Sequence, residues 1–116
     1  MTNKEKLFEI LKNPMGKTIC IDLDNTICAG TYWLGQEHPL IDESFAKIVR
    51  YLDDKGAFIN VWTARPLKAV SVTYKWLGEN NLQYPLALRI KPPCDLMIDD
   101  KALNKDDVVE FMDKMK

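Results

Sequence analysis

The chain has little net charge of either sign: 16 Lys and Arg stand against 17 Asp and Glu in 116 residues. Such a balance makes no broad basic field, basic runs are absent, and a nucleic-acid partner is not expected. Long apolar runs are missing too. The longest are strand-length, far short of the ~20 residues that a membrane span needs. The opening Met1-Thr-Asn-Lys-Glu-Lys lacks the apolar core of a signal peptide. Three cysteines cannot all pair with one another, and no CxxC spacing occurs. Together these absences predict reduced thiols, a cytoplasmic location and no membrane partner. The length suits one domain, 1–116, near the small end of the usual range.

What is present is a regular alternation of apolar patterns. Residues 2–12 read as a helix, with Thr2 and Glu5 at capping-box spacing, Leu7, Ile10 and Leu11 on one face, and Pro14 and Gly16 as its stop. Residues 18–23 read as a strand buried on both faces. A helix over 41–55 carries the stripe Ile41, Phe45, Ile48, Val49 and Leu52 and stops at Gly56; a strand over 57–62 follows. A helix over 66–77 begins with Pro66, carries Leu67, Val70, Tyr74 and Leu77, and ends at Gly78. Strands over 86–90 and 95–98 come next, then a helix capped by Asn104 with Val108, Phe111, Met112 and Met115 facing inward. Strands alternating with helices predict an α/β fold with a small, mainly parallel sheet and right-handed crossovers. The link between the last two strands is too short for a helical crossover, which takes about a dozen residues. Either 86–90 is not a regular parallel strand or that crossover is bare.

Three apolar runs end in acidic or hydroxyl residues. They are Thr18-Ile-Cys-Ile-Asp22-Leu-Asp24-Asn-Thr26, Phe58-Ile-Asn-Val-Trp62-Thr63-Ala-Arg65 and Asp95-Leu-Met-Ile98-Asp99-Asp100. A DxDxT motif alone is weak, because two aspartates one residue apart arise by chance. Three signatures at strand ends point to a site at the carboxyl edge of a parallel sheet, where open α/β folds place ligands. Asp22 and Asp24 point the same way if extended geometry continues, with Leu23 facing the core. Two carboxylates so close repel unless a cation lies between them. Mg²⁺ suits them, since it takes a few carboxylates with water and phosphate oxygens, and Asp99 could supply a further ligand. The Thr63 hydroxyl and nearby amides suit phosphate oxygens, and Arg65 could reach them. A carboxylate nucleophile, a second carboxylate for proton transfer, a metal and a hydroxyl suit phosphoryl transfer through an aspartyl-phosphate.

DLDNT at 22–26, Thr63 within WTAR, and IDD at 98–100 resemble the haloacid dehalogenase superfamily of phosphatases, over most of the chain. The resemblance implies a Rossmann-like three-layer sandwich with Mg²⁺ as cofactor. It implies Asp22 as nucleophile, Asp24 as general acid/base and Thr63 as phosphate ligand. It also implies a metal site of Asp22, Asp24 and Asp99, with Asp100 in support. By order along the chain, Lys91 matches the lysine that offsets phosphate and carboxylate charge in the family. A bare crossover would set Lys91 below the site, and Lys68 and Lys101 are the substitutes. Asn25 departs from the commoner glycine after the acidic pair. KPPCDLMIDDKA looks like the matching string of small members linked with polysaccharide or capsule biosynthesis, which implies a sugar phosphate among the candidate substrates. Members usually draw specificity from a cap inserted after the first or second strand. Here only the loop 25–40 follows Asp24, so the chain looks capless. A site so open needs a large phosphate ester, a partner or a homo-oligomer to exclude water. In that loop Gly30 and Gly35 give hinge freedom, while Tyr32 and Trp33 offer apolar surface to a substrate or pack the loop onto the body.

Each residue also has a plainer reading. Aspartates often follow strands because turns favour them. Thr63 suits a helix cap ahead of Pro66, and Arg65 is as well explained as a surface arginine. His38 reads as an exposed loop residue. Nothing flanking Cys28 lowers a thiol pKa, so it receives no catalytic role. Trp62, Trp76 and Phe45 read as core. Two further functions stay open. A metal-dependent nuclease also uses clustered carboxylates, but the near-zero net charge disfavours it. A non-catalytic binding module would be expected to have lost Asp22 or Asp24.

Overall fold

Strand β1 (Thr18–Asp22) lies inside the sheet because its apolar run can be covered on both sides; Ile19, Cys20 and Ile21 are fully buried. With β2 (Phe58–Thr63), β3 (Leu86–Leu88) and β4 (Leu96–Ile98) it forms a four-stranded, all-parallel sheet in the order β3-β2-β1-β4. The computed structural model describes residues 3–28, 40–99 and 104–114, with 3, 4, 6 and 7 described by backbone alone. The helices are α1 (Asn3–Lys12), α2 (Glu43–Asp54), α3 (Val70–Glu79) and α4 (Lys105–Lys114). The chain is therefore α/β with a small parallel sheet, as the patterning predicts. No helix among the described residues is long and apolar enough to cross a membrane.

Local chemistry explains most boundaries. Asp42 caps α2, its carboxylate accepting from the Phe45 amide at 3.1 Å, and Gly56 ends the turn after α2 at a φ of +96°. Asn104 and Asp107 cap α4 reciprocally, each side chain accepting from the other's backbone N–H. The third helix departs from expectation. Leu67–Ala69 form a 3-10 turn before α3, with three residues per turn rather than 3.6. The inward stripe is therefore Ala69, Thr73 and Leu77, while Leu67 is 72% exposed and Tyr74 lies at the surface. Gly78 is not the stop either. The helix runs through it to Glu79, and Asn81 makes the left-handed turn at a φ of +58°.

Ile19, Ile21, Ile59, Val61, Leu96 and Ile98 share one core with residues of all four helices, among them Leu11, Phe45, Leu77 and Val108. Strand alternation puts Cys20, Asn60, Trp62 and Met97 on the opposite face. The link 89–95 crosses that face. It leaves β3 at Arg89, which has a φ of +64°, and Ile90 is 83% exposed, so the third strand ends before residue 90. The Lys91 ammonium then lies 5.1 Å from the Trp62 ring centroid, and Asp95 bonds to both backbone groups of Thr18 at 2.8 Å. The third strand is thus parallel and the crossover after it is bare. β3 and β4 are the two edges of the sheet. Crossing three strand spacings takes about 14 Å and descending the strands about 10 Å. That diagonal is well within the roughly 25 Å reach of the extended link.

Candidate functional site

The register sets the site. Asp22 pairs with Trp62 and Ile21 with Ile98, so Asp22, Thr63 and Asp99 leave three neighbouring strands at the same edge. Extended geometry ends at Asp22. The Leu23 amide still donates to the Trp62 carbonyl at 2.9 Å, but the Leu23 carbonyl accepts from the amides of Thr26, Ile27 and Cys28, which closes a tight turn. Asn25 sits in that turn at a φ of +63°. Asn suits that position, since after Gly it is among the residues that best tolerate the left-handed region. The turn, and not strand alternation, therefore directs Asp24, while Leu23 is fully buried in the core as expected.

Asp24 faces Arg65. The guanidinium meets both carboxylate oxygens, with Nη2 to Oδ1 at 2.7 Å and Nε to each oxygen at 3.2 Å. Its Nη1 donates to Thr73 Oγ1 at 3.0 Å, and the Trp76 ring centroid lies 5.6 Å from Cζ. Arg65 is 5% exposed, so it is not a surface arginine. The Thr63 hydroxyl joins the same network, accepting from the Arg65 amide at 3.1 Å and donating to Asp24 Oδ2 at 3.4 Å. Thr63 is thus not a helix cap: the 3-10 turn begins after Pro66 with no side-chain cap, and the Thr63 hydroxyl closes a local turn ahead of it.

Asp99, buried, pairs with Lys91 at 3.6 Å. Lys91 comes early in the diagonal link, before the chain descends to Thr18, so a bare crossover still delivers it to the carboxyl edge. Trp62 and Trp76 are half-buried beneath Lys91 and Arg65, whereas Phe45 alone of the three aromatics is fully buried. Burial, aided by the Asp24 charge, pushes the Cys28 thiol up to about 11. Cys28 is therefore a thiol near neutral pH. All three cysteines are free.

Among the described residues no group of three or more His, Cys, Asp or Glu side chains gathers to hold a metal ion. Asp24 and Asp99 turn instead to Arg65 and Lys91. Tyr32, Trp33, His38, Gly30, Gly35, Asp100 and Lys101 lie outside the described residues. Sequence reasoning missed Thr73 and Trp76, because their place against Arg65 depends on the 3-10 turn that shifts the phase of α3. A concavity of about 490 Å³ between α2 and α4, lined by Lys47, Tyr51 and Met112 among others, contains none of the site residues.

No family model matches the chain, and no curated protein matches it. A solved structure of a conserved protein from Bacteroides thetaiotaomicron is similar, with a TM-score of 0.59 and 22% identity over 86% of this chain and 92% of that one. At that identity the likeness speaks for the fold alone.

Proposed function

We propose that the chain is a phosphatase of the haloacid dehalogenase type that hydrolyses a phosphate monoester through an aspartyl-phosphate. The observation that carries this reading is the convergence of Asp22, Asp24, Thr63, Asp99 and Lys91 at the carboxyl edge of one parallel sheet. In the first step an Asp22 carboxylate oxygen bonds to phosphorus as the ester P–O bond breaks, and Asp24 gives a proton to the leaving oxygen. In the second, Asp24 takes a proton from water, the water oxygen attacks phosphorus, and the bond to Asp22 breaks to release phosphate. The Thr63 hydroxyl orients the phosphoryl oxygens, and Lys91 offsets their charge beside Asp99.

Mg²⁺ is the ion this reading implies. Asp22 and Asp99 fit it, because Asp22 ends β1 and Asp99 follows the neighbouring, hydrogen-bonded β4, and both supply hard oxygen donors. Asp24 and Asp100 complete the acidic set in sequence. Held by these residues, such an ion would neutralise phosphoryl charge. The three-layer form of the sandwich, the capless site and a sugar phosphate or larger phosphate ester as substrate belong to the same proposal, as does assembly into a homo-oligomer to shield the site.

A screen of phosphorylated sugars, nucleotides, phosphopeptides and an aryl phosphate with Mg²⁺ tests it, with single-stranded DNA as a separate arm. Phosphate release from a monoester is the expected result. DNA cleavage without monoester hydrolysis would favour the nuclease, and inertness in every arm the binding module.

A further inference from the structure

We infer that Arg65 is a positioning residue for Asp24, held in place by Thr73 and Trp76, and not a ligand of the substrate phosphate; this rests on the phosphatase reading above. A phosphate-binding arginine presents the paired donors of its guanidinium edge to the anion. In Arg65 that edge, Nε and Nη2, is taken up by the two oxygens of Asp24. The side chain is only 3% exposed, against 17% for its partner, so the open end of the pair is the carboxylate. Two further contacts join the guanidinium to α3. Nη1 bonds to Thr73, buried on the inward side of α3, and the guanidinium lies against Trp76 on the next turn. The Arg65 amide is fixed as well, by the Thr63 hydroxyl.

A long cationic side chain has many rotamers, and anchors at its guanidinium edge, at Nη1 and at its ring contact remove most of them. The consequence is a rigid support. The turn after β1 sets the backbone of Asp24, and α3, acting through Arg65, sets the direction of its carboxylate. Proton transfer to a leaving oxygen depends on that direction, since a misplacement of about 1 Å costs on the order of 100-fold in rate. Substrate affinity does not depend on it in the same way. Loosening the support should therefore lower kcat and spare KM, whereas loss of a phosphate ligand raises KM.

Thr73→Val tests this at a residue that faces Arg65 and not the sheet edge. With an aryl phosphate as probe, kcat is expected to fall roughly 10-fold with KM within about twofold of the parent. Thr73→Ser, which keeps the hydroxyl, is expected to retain most of the activity. Trp76→Leu is the second variant, expected to act in the same direction should Thr73→Val not fold by circular dichroism. In an Asp24→Asn background neither change should lower kcat further, because coupled residues are not additive. A raised KM at unchanged kcat, or full additivity with Asp24→Asn, overturns the inference while leaving the phosphatase reading intact. A wild-type chain that hydrolyses no monoester overturns both.

Discussion

Lys91 lies between two partners, with its ammonium 3.6 Å from an Asp99 carboxylate oxygen and 5.1 Å from the centroid of the Trp62 ring. The ring stands next to Asp22 across the β1–β2 ladder, so one cation touches the end of β2 and the residue after β4, on either side of β1. If Lys91 offsets charge on the transferring phosphoryl group, Lys91→Met should lower kcat/KM by about 10- to 1,000-fold. Lys91→Arg should recover part of that loss. Steady-state kinetics on an aryl phosphate measure both, and equal rates in all three proteins would remove Lys91 from the mechanism.

Asn25 carries the backbone through the turn that aims Asp24, at a φ of +63°. Replacing it with Val forces a β-branched residue into the left-handed region, at a cost of roughly 1–2 kcal/mol. Asn25→Gly is expected to stay within a few tenths of a kcal/mol of the parent, since glycine takes that φ freely. Urea midpoints at matched slopes decide the point. A Val variant as stable as the parent would mean that the turn has another way to close.

The acidic pair and the metal can be tested apart from turnover. Mg²⁺ binding to the folded chain should raise its Tm by mass action, and Asp99→Asn should abolish most of that rise. Excess chelator should stop hydrolysis by the parent. A Tm indifferent to Mg²⁺, with activity intact in chelator, would take the ion out of the account.

Asp42 gives the fold a pH dependence of its own. Burial alone would raise its pKa, but the Lys105 ammonium at 2.8 Å and the Phe45 and Ser44 amides outweigh it, and the net direction is downward. A carboxyl lowered in the folded state adds stability that is present above its unfolded pKa of about 3.9 and is lost as pH falls through its folded value. Asp42→Asn keeps the cap without the charge. The parent should therefore exceed this variant in stability at pH 7, with the gap closing below about pH 4. Denaturation of both proteins between neutral and acid pH reads the difference directly, and a gap that widens on acidification would contradict the assignment.

How much of this was legible in the sequence depended on range. The carboxyl-edge placement of Asp22, Thr63 and Asp99 could be read because each ends its own apolar run, a local signal that the parallel register then aligns. The bare crossover could be framed as one of two outcomes from link length alone. The partner of Asp24 could not be read, since Arg65 lies 41 residues away and reaches it only because a turn, not a strand, carries Asp24. Thr73 was hidden for a similar reason. A single 3-10 turn moved the inward face of α3, and no helical periodicity counted from Pro66 anticipates that shift. Trp62 and Trp76 look like core by hydrophobicity, yet each offers a ring face to a cation, which hydropathy does not register.

The central claim is that phosphate passes through Asp22. Rapid acid quenching of the wild-type chain during turnover of an aryl phosphate, followed by peptide mass mapping, tests it most directly. The account predicts one added phosphoryl group on the peptide containing Asp22, and neither the label nor turnover in a folded Asp22→Asn variant. A phosphoryl group on another residue, or an Asp22→Asn variant that keeps most of its activity, would contradict it.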